Sequence, residues 1–96
     1  MENAIALLEK WYLERCNGEW EHHWGISIET LDNPGWRIRI DLRETRAENK
    51  VLEKTRIERN ESDWVIYWAI EHRFEAGCGP LNLSEAIHIF LNWFES

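Results

Sequence analysis

From Trp24 to Leu42 apolar and polar residues alternate with a period of two, and no other feature of the chain constrains its fold as strongly. Trp24, Ile26, Ile28 and Thr30 alternate with Gly25, Ser27 and Glu29. After one break, Trp36, Ile38, Ile40 and Leu42 alternate with Arg37, Arg39, Asp41 and Arg43. Successive side chains of a strand point to opposite faces, so both runs read as strands with one buried and one wet face. The break, Leu31-Asp32-Asn33-Pro34-Gly35, predicts a turn. Pro34 fixes φ and Gly35 supplies φ > 0, as the central pair of a type II turn requires. A bare two-residue type II loop splays hairpin strands, so a longer or bulged connection is expected.

Helical spacing stands on either side of this region. Over residues 3–16, Ala4, Ile5, Leu8, Trp11 and Tyr12 share one face and Glu9, Lys10 and Glu14 lie opposite. Asn3 is the expected N-cap and Asn17-Gly18 the expected stop. Asn82-Leu83-Ser84-Glu85 reads as a capping box, with Asn82 as N-cap and Glu85 reaching back. Leu83, Ala86, Ile87, Phe90, Leu91 and Phe94 follow as a core stripe, flanked by Ile89 and Trp93.

The middle is a polar loop over 45–50 and a weaker strand, Val51–Arg59, with Val51, Thr55 and Ile57 inward. A turn at Asn60-Glu61-Ser62-Asp63 leads into Trp64–Ile70, which is apolar on both faces. Trp64, Ile66, Trp68 and Ile70 form one face, Val65, Tyr67 and Ala69 the other. Such a strand is covered on both sides, or its second face docks a partner. One more short strand is possible around Phe74. The fold class is α+β: an antiparallel meander sheet of four to five strands flanked by an N-terminal and a C-terminal helix, one domain over residues 1–96.

No apolar run approaches the roughly 18–20 residues of a membrane span, and the start of the chain lacks the pattern of a secretory signal. Cys16 and Cys78 have neither redox nor metal-ligand spacing, which points to reduced thiols in a cytoplasm. The net charge of −7 is unevenly spread: residues 37–59 hold eight basic and five acidic side chains, the remainder three basic and thirteen acidic. This asymmetry favours a cationic partner over a polyanion, although acidity also serves solubility alone.

Candidate chemistry is sparse. Cys78, in Gly77-Cys78-Gly79-Pro80 ahead of a helix, could have a lowered thiol pKa and act as in a rhodanese-like sulfur-transfer enzyme. Pro80 removes a backbone donor from that loop, and the alternating βα pattern of such enzymes is missing. His22 and His23 beside Glu19 and Glu21 suggest a metal, but neighbours on a strand diverge, so no metal and no cofactor are expected. A less favoured alternative is nucleic-acid binding by a two-stranded ribbon of Arg37, Arg39 and Arg43 with Lys54 and Arg56. Asp41 and Glu58 interrupt it. Of the seven tryptophans, Trp11, Trp36 and Trp68 fall at inward positions, whereas Trp20 sits in a polar junction as either core or interface anchor.

Several stretches together resemble the bacterial immunity proteins designated immunity protein 53, from polymorphic toxin systems. They are Leu7-Leu8 with Trp11-Tyr12, Cys16 through His22, Gly25 through Trp36, Ile57-Glu58-Arg59 with Asp63-Trp64, and Gly79 through Leu83 with Glu85. The resemblance implies a cytoplasmic antitoxin that binds and neutralises a cognate toxin domain by occlusion, and for which a missing active site is natural. It transfers no toxin-contacting residues. The residues expected to bind are Glu19, Trp20, Glu21 and His22 after the first helix, and Asp32 and Asn33 in the turn, as parts of an acidic, Trp-bearing surface. The expected partner is a basic toxin domain, with no nucleic acid and no membrane, the protein itself being a monomer or homodimer.

Overall fold

The computed structural model describes residues 3–96. Helix α1 spans Ala4–Arg15 and begins as expected, with the Asn3 carboxamide oxygen accepting the Ile5 N–H at 2.8 Å. Only Ala4, Leu8 and Trp11 are buried along it. Ile5 and Tyr12, expected on the buried face, stay 45% and 40% exposed. The stripe is narrow because α1 packs on the last helix more than on the sheet. Gly18, at φ 91°, turns the chain, and a single helical turn, α2 (Trp20–His23), leads to the sheet.

Five strands follow: β1 (Ile26–Leu31), β2 (Gly35–Asp41), β3 (Leu52–Asn60), β4 (Asp63–Ile70) and β5 (Arg73–Cys78). All neighbours are antiparallel, in the order β1-β2-β5-β4-β3. The order departs from a plain meander in one place, where β5 returns between β4 and β2. It pairs Ala76 with both Ile38 and Tyr67 and thereby joins the β1–β2 hairpin to the β3–β4 hairpin. The β2–β3 connection crosses the end of the sheet, held by fully buried Leu42 and Ala47 and by Lys50, whose ammonium donates to the carbonyls of Trp93 and Ser96. Val51, expected inward, is 68% exposed because β3 starts one residue later.

Helix α3 (Leu83–Glu95) lies across the inner face of the sheet. Phe74 of β5 meets Phe90 at a ring separation of 5.0 Å, and Trp11 stands edge-on to Phe90 and Phe94 at 5.1 and 5.3 Å. Each such ring, fully buried, contributes roughly 2–3 kcal/mol through lost water contact. The close approach of α3 depends on small residues, Ala69, Ala76 and Ala86, all buried beneath or within it.

That approach decides which face of β4 turns inward. Val65, Tyr67 and Ala69 lie in register with the inward residues Ile57, Ala76 and Phe74. Trp64, Ile66, Trp68 and Ile70 therefore point to the outer face, which no helix covers. The inward assignment of Trp68 is thus corrected, since an indole at that position has no room under α3.

Candidate functional site

The outer face is built in rows across the strands. Glu29, Arg37, Gly77, Ile66 and Arg56 form one row, and Ser27, Arg39, Glu75 and Trp68 the next. Glu75 is the electrostatic hub of the second row, with Arg37 at 3.2 Å and Arg39 at 3.5 Å. Arg43 is spent on Asp41 at 3.1 Å, and the Lys54 ammonium lies 4.7 Å from the centre of the Trp68 ring. The basic ribbon expected from sequence is not formed, because β5 and β4 stand between β2 and β3. Its cations serve carboxylates and an indole of this chain instead.

At one end of this face glycines replace side chains. A Cβ on Gly35 would run into the Cys78 carbonyl oxygen, and one on Gly79 would come within 2.5 Å of the Ser62 carbonyl oxygen. Gly77 has room, with the Ile66 and Trp64 side chains leaning over it at 3.5 and 3.7 Å from where its Cβ would be. Beside them lies a furrow of about 620 Å³, lined by Trp64 and Ile66, by Asn33 and Pro34 of the β1–β2 turn, and by Arg56, Glu58 and Glu61. Gly35 therefore serves by close backbone approach rather than by the positive φ expected of it; the connection is a three-residue turn, Asp32–Pro34, and Gly35 already belongs to β2.

A polar network fixes the furrow's wall. The Asn82 side-chain oxygen accepts the Trp64 N–H at 3.3 Å, while its NH₂ donates to Asp63 at 2.9 Å and Glu85 at 3.0 Å. Arg59 grips Glu85 through both guanidinium nitrogens, at 3.1 and 2.6 Å, and Asp63 at 2.7 Å. The Asn82 amide and then Arg59 hold the Asp63 carboxyl below its usual range; Arg59 and then Asn82 do the same for Glu85. The capping box is modified accordingly. Asn82 occupies the N-cap position but its side chain caps no helix N–H, because β4 and the two carboxylates use it. Across the end of the sheet, the Trp36 indole N–H donates to the Pro80 carbonyl at 3.0 Å and leaves Leu81 93% exposed beside the furrow.

The six expected binding residues do not converge. Asp32 and Asn33 are exposed in the turn, and Asn33 lines the furrow. Glu19, Trp20, Glu21 and His22 lie at the opposite end of β1, roughly 17–20 Å away for a strand of that length. Trp20 is corrected from interface to core: it is 1% exposed, packs on Trp11 at 5.9 Å, and donates its indole N–H to the Arg43 carbonyl at 2.8 Å. Glu21 is occupied by the local fold, accepting the N–H groups of Asn17 and Gly18, while Asn17 accepts those of Glu19 and Trp20. Glu19 and His22 remain exposed.

The sulfur-transfer alternative meets a physical obstacle. Cys78 ends β5 instead of standing in a loop, is fully buried, and burial pushes its thiol up to about 11, opposite to the activation such chemistry needs. Among the described residues no group of His, Cys, Asp and Glu side chains is placed to hold a metal ion, and no helix is long and apolar enough to cross a membrane.

The fold thus defines a small α+β domain with one sheet face covered by helices and the other open. The model of the immunity protein 53 family matches residues 5–95, nearly the whole chain, and the protein belongs to that family. No curated protein and no solved structure matches it. Membership supports an immunity role and the binding of a toxin partner. Much of what carries the family resemblance is used by the fold itself: Asn17, Gly18 and Glu21 in the α1–α2 turn, Gly35 and Gly79 at close approaches, and Arg59, Asp63, Asn82 and Glu85 in one network.

Proposed function

We propose that this protein is a cytoplasmic bacterial antitoxin that neutralises the cognate toxin domain of a polymorphic toxin system by occupying its surface, without chemistry of its own. The observation that carries the reading is the open sheet face, where Trp64, Ile66, Trp68 and Ile70 present an apolar row that no element of the chain covers. Contiguous apolar surface of this kind, rimmed by charge, marks protein docking sites, and half-exposed tryptophans are common anchors in them. Asn33 lines the furrow at the end of the row, and the exposed Asp32 and Leu81, next in sequence to the lining residues Asn33 and Pro80, belong to the same proposed surface. Glu19 and His22, at the far end of β1, fall outside it. The net charge of −7 suits a basic toxin, whose approach it accelerates.

The test is coexpression with a candidate toxin domain, sought first in the neighbouring gene, followed by copurification and a growth assay. A stable complex that restores growth is expected, with an association rate that falls as salt rises. Replacing Trp68 by Ala should weaken the complex while leaving the fold intact. A toxin that neither copurifies nor loses activity would sink the reading.

A further inference from the structure

Trp64 and Trp68 stand four residues apart on the same strand and face the same way, yet their surroundings differ in sign. Trp68 carries its own cation, the Lys54 ammonium at 4.7 Å from the ring centre. Beside Trp64 the corresponding cross-strand residue is Glu58, and Glu61 lines the same furrow. Among the described residues Glu61 forms no ion pair; Glu58 has only Arg56, which also lines the furrow, at 4.0 Å with both side chains about 60% exposed, so two carboxylates face one guanidinium there. Gly77 adds no side chain beneath Trp64 and Ile66, and the furrow beside them is open to an incoming side chain. An aromatic face flanked by carboxylates with no firm partner is an arrangement that receives a guanidinium or ammonium group.

We propose that the furrow is the seat of a basic side chain on a protruding loop of the toxin, an arginine or lysine that lies on the Trp64 ring and pairs with Glu58 and Glu61. Trp68 with Lys54 shows the same contact made within the chain. Asn33 and Pro34 form the opposite wall and limit the entrant to a narrow loop. The inference rests on the toxin-binding reading for the partner's identity, but the chemistry of the seat is testable without the toxin.

The probe is N-acetyl-arginine amide, titrated while the Trp64 indole N–H signal is followed by NMR, with the neutral citrulline analogue as control. A saturable shift of Trp64 with arginine and none with citrulline is expected, lost in the Glu58→Gln/Glu61→Gln variant, whose exposed substitutions leave the fold intact. Equal response to both probes, or none to arginine, overturns the seat. Against the toxin domain, the double variant should bind at least tenfold more weakly with a flatter salt dependence, whereas Glu9→Gln/Glu14→Gln on α1 should bind as the wild type does. If wild type and furrow variant bind the toxin equally, the furrow proposal fails and toxin binding stands. If the wild type does not bind at all, toxin binding fails, and a Trp64 response specific to arginine still supports the seat.

Discussion

Replacing Asn82 by Ala removes a side chain that is 7% exposed and makes three hydrogen bonds. The bond from the Trp64 N–H is a neutral one, worth about 1 kcal/mol, and its loss leaves a half-buried backbone donor without its side-chain acceptor, at about 1–2 kcal/mol more. The bonds to Asp63 and Glu85 add a smaller share, because both carboxylates keep Arg59 and reach water, but this share is the part that changes with pH. The sum is about 2–3 kcal/mol, or a fall in Tm of about 10–20 °C for a domain this size. Urea unfolding followed by tryptophan fluorescence measures it. The pH dependence supplies a sharper test. A carboxyl with a depressed folded pKa stabilises the fold above its unfolded value, about 4, and that contribution disappears as pH falls through the folded value. Asn82 is the first cause of the Asp63 depression and a lesser cause for Glu85. The gap between wild type and variant should therefore be widest at neutral pH and narrow below about pH 4. Asn82→Asp should be worse than Asn82→Ala at neutral pH, since it sets a third carboxylate against two others, and should recover in acid. A gap under about 0.5 kcal/mol, small for the loss of a single bond, or one that does not change with pH, would refute the idea that this network ties β4 to α3.

Two further expectations follow from local geometry. The β4–β5 turn holds Glu71 and His72 at φ 54° and 67°, a type I′ shape that prefers Asn or Gly, so Glu71→Asn should raise stability by about 0.5–1 kcal/mol in thermal unfolding; a loss would contradict the turn assignment. Iodoacetamide should label the partly exposed Cys16 in the native protein and reach Cys78 only after denaturation, as counted by mass spectrometry, and rapid native labelling of Cys78 would overturn its placement.

What the sequence makes legible is periodicity and local signals. The α1 stripe with its Asn3 cap, the alternation through β1 and β2, the Asn60–Asp63 turn and the α3 stripe all follow from spacing alone. Alternation is symmetric, however, and cannot say which face of β4 turns inward. That was settled by alanines on β4, β5 and α3, far apart in the chain, that admit the helix only on their side. Trp20 shows the same limit, since its polar neighbours Glu19, Glu21 and His22 suggest exposure while its ring reaches Trp11 and the Arg43 carbonyl. The furrow was hidden because its walls, the β1–β2 turn and the outward residues of β3 and β4, become neighbours only once β5 lies between β2 and β4.

The return of β5 between its neighbours also has a consequence in time. The β1–β2, β3–β4 and β4–β5 hairpins each close through nearby residues and can form early. Pairing Ile38 with Ala76 must instead wait for a search across the whole intervening chain, the kind of distant closure that slows folding. Until it succeeds, β2 and β5 each show an open edge, a state prone to sticking to its own kind. Readiness to bind thus waits on that one distant pairing, and substitutions along the β2–β5 seam should slow refolding followed by tryptophan fluorescence more than substitutions in the local turns do.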